Sequence, residues 1–143
     1  MDSARVLLVD DEKDFRETLS DRMEARGMQV DCAENGVMAL GMIKDRKYDA
    51  IVLDLAMPEM DGIETLKRML AEQPNLQIIM LTGHGSVKDG VEAVKAGAVD
   101  FLEKPADIDS LEKKIHDAQV ETLQRFEKDL DDKISQLIKR KGW

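Results

Sequence analysis

Only one cysteine, Cys32, occurs among the 143 residues, which excludes an intrachain disulfide and points to a reducing compartment. Its neighbourhood is the short, mostly apolar stretch Val30–Ala33, where a small buried side chain is the expected role. Histidine is scarce too: His84 and His116 are too few for a His-rich zinc site, and Cys32 is distant from both in sequence. Long hydrophobic runs are absent. The first apolar run, Val6–Val9, is far shorter than a signal-peptide core or a membrane span. Basic charge is in the minority, with 21 Lys and Arg against 30 Asp and Glu and a net charge of -9. That balance argues against direct binding of DNA or RNA, because neutralising phosphates needs clustered cations. Residues 1–105 hold 13 basic and 21 acidic side chains, so almost all of the excess lies there. What remains is one soluble, cytoplasmic domain: 43% hydrophobic and 36% charged, with a length near the ~150 residues typical of a single domain.

Short apolar runs alternate with longer segments of helical period. Val6–Val9, Val30–Ala33, Ala50–Leu53, Ile78–Leu81 and Ala98–Leu102 are the candidate strands. Three of them are unbroken apolar runs, as expected for parallel strands covered on both faces. Between them, Phe15, Leu19 and Met23 recur at helical spacing before a stop at Gly27, and Val37, Leu40 and Ile43 follow a possible cap at Asn35. Ile63, Leu66 and Leu70 precede Pro74, while Val87, Val91 and Val94 lie between a Ser86 cap and Gly97. A fifth helix begins near Asp107. Five strand–helix units predict a three-layer α/β sandwich with a doubly wound, five-stranded parallel sheet in the order 2-1-3-4-5.

The polar residues of interest all fall at the C-terminal ends of these strands. Asp10, Asp11 and Glu12 follow the first, Asp54 closes the third, Thr82 closes the fourth and Lys104 follows the fifth. In a doubly wound sheet ligands bind at this edge, at the switch point between strands one and three, where Asp10, Asp11 and Asp54 converge. Three adjacent carboxylates repel one another unless a hard divalent cation such as Mg²⁺ offsets them. Lys104 adds a second positive charge. A carboxylate nucleophile acting on a phosphoryl group needs this layout, and the Thr82 hydroxyl can donate to a phosphoryl oxygen.

The blocks VLLVDDE (6–12), LDLAMPEMDG (53–62), LTGHG (81–85) and DFLEKP (100–105) resemble the signature of the response-regulator receiver domain of two-component signalling. The resemblance covers about residues 4–118, and is nearest to receivers that precede ATPase activator or DNA-binding output domains. No such output domain is expected within these residues. The resemblance implies that Asp54 accepts a phosphoryl group from a histidine kinase. It implies that Asp10, Asp11, Asp54 and the backbone carbonyl of Ala56 hold Mg²⁺, and that Lys104 pairs with the phosphoryl group, which the backbone at Ala56 and Gly83 also contacts. Thr82 and Phe101 match the family's switch pair, and the Lys104–Pro105 bond is expected to be cis. Ala56 and His84 match sites that govern how water reaches the acyl phosphate; Ala56 cannot orient a water, whereas an imidazole at His84 can.

Three rival readings differ in specific residues. A haloacid-dehalogenase-like phosphatase needs a second Asp two residues past the nucleophile, where this chain has Ala56. A flavodoxin-like module needs a phosphate-cradling loop after strand one, where Asp10-Asp11-Glu12 would repel phosphate. A pseudo-receiver scaffold, or an oligomerisation module without phosphotransfer, would not need an intact acidic pocket. The domain should end near residue 118, with Ile108, Leu111, Ile115 and Ala118 covering the sheet. Residues 119–143 then form a helical extension with no Pro or Gly before Gly142, ending in Lys139, Arg140 and Lys141. In it Val120, Leu123, Leu130, Ile134 and Leu137 fall on heptad a and d positions, interrupted by Glu127. This stripe is turned by roughly 100° from the helix-five core face. A short parallel coiled coil, making a homodimer or docking a partner helix, is expected in preference to a tail that folds back or frays.

Overall fold

A computed structural model describes residues 3–57, 61–83 and 86–142. Strands and helices alternate: β1 (Arg5–Val9), α1 (Lys13–Ala25), β2 (Gln29–Ala33), α2 (Gly36–Asp45), β3 (Ala50–Asp54), α3 (Gly62–Glu72), β4 (Ile78–Thr82), α4 (Val87–Lys95), β5 (Asp100–Glu103) and α5 (Ile108–Arg140). All pairings are parallel, and the strand order is β2-β1-β3-β4-β5. Strand parity divides the core into two layers. Leu7, Val9, Ile51, Leu53, Ile78 and Met80 face α2, α3 and α4, packing with Ala39, Ile43, Leu66, Met69 and Ala93. Val6, Leu8, Val52, Ile79 and Leu81 face the other way, against Leu19 and Met23 of α1 and Leu111, Ile115 and Ala118 of α5. Every residue of β3 and β4 is buried, as central parallel strands require.

Local chemistry sets the boundaries. Asn35 Oδ1 accepts from the Met38 amide at 2.8 Å and Asp61 Oδ1 from the Glu64 amide at 2.8 Å, capping α2 and α3. Gly27 ends α1 with φ 89, a left-handed conformation that favours glycine. Three expectations need correction. Strand five begins at Asp100 rather than Ala98, because Ala98 still belongs to the turn after α4, its amide bonded to Ala93 O at 3.0 Å. Ser86 precedes α4 but makes no side-chain cap bond. Cys32 is only half-buried, because β2 is an edge strand.

Two helices depart from their apolar stripes, α2 at one residue and α4 throughout. In α2 Ile43 is buried and Leu40 packs on the core as the stripe predicts, but Val37 is 67% exposed and Gly36 and Ala39 take the inner face in its place. In α4 Val87, Val91 and Val94 are exposed, and Gly90 and Ala93 meet the sheet. Small residues let the helix backbone come close, which leaves the valines outside.

The fifth helix runs unbroken for 33 residues, about 50 Å at 1.5 Å per residue. Leu111, Ile115, Ala118 and Gln119 are buried, Ile108 and Val120 half-buried. Farther on, Leu123, Leu130, Ile134 and Leu137 are 46–49% exposed, so the tail does not fold back onto the described residues. Its root is fastened to the lower edge of the sheet. Thr122 Oγ1 donates to Asp49 O at 3.0 Å, just before β3, and Arg125 Nη1 to Asn75 Oδ1 at 3.0 Å, in the loop before β4. The helix ends at Arg140, with Lys139 and Arg140 in its last turn and Gly142 at φ 75.

Candidate functional site

Because β1 lies beside β3, the residues that end these strands come together. Asp10 is fully buried, Asp54 is 3% exposed and Asp11 faces solvent. Oxygens from the three carboxylates lie within 4.8 Å of one another. Lys104, delivered by β5, reaches over β4 into this group. Its Nζ is 2.9 Å from Asp10 Oδ2, 3.5 Å from Asp54 Oδ1 and 3.6 Å from Glu12 Oε1. The same ammonium stands 4.2 Å from the centroid of the Phe15 ring, a cation–π contact that helps to hold its position. The Lys104–Pro105 bond is cis, and Lys104 N donates to Thr82 O at 2.7 Å.

Electrostatics follow from this crowding. Burial, reinforced by the charge of Asp10 and opposed by Lys104 and the Ala56 amide, pushes the Asp54 carboxyl up to about 7. Burial works against the Lys104 charge, but Asp10, Asp54 and Glu12 outweigh it and hold the ammonium above the ordinary lysine range. One lysine does not satisfy the cluster. Asp10 Oδ1 accepts from the Glu12 amide at 2.8 Å, whereas buried Oδ2 has only the off-axis ion-pair contact with Lys104 and no aligned hydrogen bond. Three carboxylates that share one ammonium, with a buried oxygen lacking any aligned hydrogen bond, suit a hard divalent cation, so the residues present fit Mg²⁺.

Thr82 is fully buried, and its hydroxyl makes only a long contact, 3.4 Å, to Leu102 O. Phe101 pairs across with Met80, two residues before Thr82, so Thr82 and Phe101 share one face of neighbouring strands. Ala56 and Gly83, which follow the ends of β3 and β4, are exposed. Ala56 N donates to Asp54 Oδ1 at 3.3 Å. His84 lies outside the described residues.

Other contributors were not apparent from the sequence. Arg16 Nη1 donates to Asp10 O at 2.7 Å, tying α1 to the loop that carries the carboxylates. Gly62 packs against the far side of Asp54: a Cβ there would lie 2.5 Å from Leu55 Cα and 2.7 Å from Leu55 O, closer than real Cβ atoms come. Its signal was present in the block ending MDG, but only the close approach explains it.

Comparison with known proteins agrees with this geometry. Residues 6–116 match the family described as the response regulator receiver domain. The regulatory protein AtoC of Escherichia coli (strain K12) is 40% identical over 107 residues, which are 75% of this chain and 23% of AtoC. The solved receiver domain of the Francisella response regulator 1452 superposes with TM-score 0.78 at 32% identity, over 84% of this chain and 99% of that one. NtrX from Brucella abortus in complex with ATP gives TM-score 0.82 at 30% identity, over 96% of this chain and 34% of that one. The chain therefore belongs to the response-regulator receiver family. It spans about a quarter of the length of the first curated relatives it matches. No helix among the described residues is long and apolar enough to cross a membrane.

Proposed function

We propose that the chain is a phosphorylation-dependent signalling switch in which Asp54 accepts a phosphoryl group from a histidine kinase or a small phosphodonor. The convergence of Asp10, Asp11, Asp54 and Lys104 at one sheet edge carries this reading. Asp10, Asp11, Asp54 and the backbone carbonyl of Ala56 would hold Mg²⁺, which when bound supplies neutralisation of the charge that gathers on the phosphoryl oxygens. An Asp54 oxygen attacks phosphorus in line with the bond to the donor imidazole. The new O–P bond forms as the N–P bond breaks, and the imidazole nitrogen keeps the electron pair. Lys104 pairs with a phosphoryl oxygen, and the Thr82 hydroxyl with the amides of Ala56 and Gly83 donates to the others. The chain thus promotes its own phosphorylation and the later hydrolysis of its acyl phosphate.

As Thr82 turns toward the phosphoryl group it vacates space beside Phe101, and the α4 face repacks. The shift in population is limited by the differential contacts of the phosphoryl group. A pseudo-receiver scaffold is disfavoured, since no carboxylate of the pocket is missing. A cytoplasmic location fits the half-buried free thiol and the kinase partner, and the net charge of -9 speaks against direct DNA binding.

The extension after residue 118 is best read as a surface for a second copy. Leu123, Phe126, Leu130, Ile134 and Leu137 lie on one exposed arc of α5. Residues 119–141 carry six basic and five acidic side chains, so identical tails are not repelled as the acidic bodies would be. Acetyl phosphate with magnesium should add one phosphate by intact mass to the wild type and none to Asp54→Ala. Equal labelling of that variant would remove Asp54 as acceptor.

A further inference from the structure

We infer that Gly90 is a positioning residue: a notch in α4 that seats the Phe101 ring, and whose depth decides whether the ring can respond to Asp54. This rests on the switch reading of Thr82 and Phe101 given above. Gly90 is buried in the middle of α4 and faces β5. A Cβ at this position would lie 2.5 Å from Phe101 Cε2 and Cγ and nearer still to Cδ2, with no other heavy atoms as close. Three atoms of one ring plane define the conflict, so the aromatic face itself fills the space a methyl would take. Phe101 is held from three sides: it packs on the α2–α3–α4 core layer, sits beside Met80 in register, and shares a face with Thr82.

The placement has a sequence cost, which argues that it is not incidental. Glycine in a helix interior is unfavourable relative to alanine, and Ala93, the other buried residue of α4, shows that alanine meets the sheet without difficulty one turn away. The difference between the two sites is the ring. With Gly90, the ring lies beneath α4 next to the space that Thr82 would vacate. With any larger residue, either the ring swings outward or α4 lifts from β5. Either outcome separates the ring from Thr82 and leaves phosphorylation at Asp54 intact but unread.

The chain has three phenylalanines, Phe15, Phe101 and Phe126, so 4-fluorophenylalanine labelling gives three ¹⁹F resonances, assigned by Phe→Leu variants. In the wild type with acetyl phosphate and magnesium, the Phe101 resonance should move. In Gly90→Ala it should already be displaced without phosphodonor, and its response to phosphorylation should be lost although the mass increment at Asp54 remains. A Phe101 resonance that ignores phosphorylation in the wild type would overturn the switch reading. A resonance that responds alike in wild type and Gly90→Ala would overturn the notch alone. A stability cycle guards against a variant that fails to fold. Gly90→Ala should lower the urea midpoint when Phe101 is present and raise it in a Phe101→Ala chain, where only helix propensity is left. The same sign in both backgrounds would contradict the inference.

Discussion

The two halves of α5 have the same secondary structure and similar apolar spacing, yet opposite fates. In the first, Leu111 and Ile115 are sealed against the sheet; in the second, Leu123 and Leu130 are about half exposed. The backbone cannot tell them apart. What differs is whether a surface lies opposite, and the root bonds of Thr122 and Arg125 mark where that surface stops. Helical period therefore reports that a stripe exists and says nothing about its partner. The same lesson applies within the body, where the valines of α4 face outward and its glycine faces in.

One substitution made at both ends of the helix separates its two halves most strongly. Leu111→Ala, in the core, should cost ~2–5 kcal/mol by urea denaturation. Leu130→Ala, measured at dilution, should stay within about 0.5 kcal/mol. Equal costs would mean that the tail is buried against its own domain. Next in size is Gly62→Ala, which pushes a methyl into the backbone of Asp54 and Leu55 and should cost ~2–4 kcal/mol while leaving tail association unchanged.

The third prediction concerns pH and metal. Asp54 holds its proton more tightly in the folded chain, about 7 against an ordinary 3.8. The folded state thus binds more protons across that interval, and the stability associated with the protonated group is full below pH 3.8 and lost as pH rises through about 7. Asp10, Asp11 and Lys104 face the group, and burial together with the charge of Asp10 outweighs the lysine. Metal-free Asp54→Asn should accordingly be more stable than wild type at pH 8, by ~1–3 kcal/mol, with the gap closing toward pH 4. Adding magnesium should also narrow it, since the cation replaces the missing positive charge. A gap that widens at low pH would show that the sign is wrong.

Smaller effects sharpen the view of the tail. Light scattering over a concentration series should show a dimer that Leu130→Asp converts to monomer, without loss of phosphorylation. A wild type that is monomeric at high micromolar concentration would exclude pairing with a second copy. Glu127→Leu, which fills the polar gap in the seam, should tighten the dimer several-fold. Thr122→Val should cost only ~0.5–1.5 kcal/mol by removing the hydroxyl whose one proton Asp49 O and Ala118 O share.

Much of the body was legible because strand ends are marked by chemistry as well as hydropathy. Asp54 and Thr82 each stop an apolar run, Lys104 follows one by a single residue, and parallel topology leaves one edge where they can meet. Legibility failed where a contact depends on the absence of atoms or on long reach. Gly62 and Gly90 matter for what they leave out. Arg16 reaches back to the Asp10 carbonyl, and Phe15 lies under a lysine 89 positions away in the chain. The meeting of Asp10 with Asp54 followed from strand order, but the sharing of Lys104 between their oxygens needed atomic positions.

The central claim is that Asp54, and no other carboxylate of the pocket, forms the acyl phosphate. Borohydride reduces an acyl phosphate to the corresponding alcohol, which turns a phosphorylated aspartate into homoserine. After treatment with acetyl phosphate, tandem mass spectrometry of the trapped wild-type chain should locate homoserine at position 54, in the presence of magnesium and not after chelation. Homoserine at Asp10 or Asp11, or equal trapping without a divalent cation, would contradict the account.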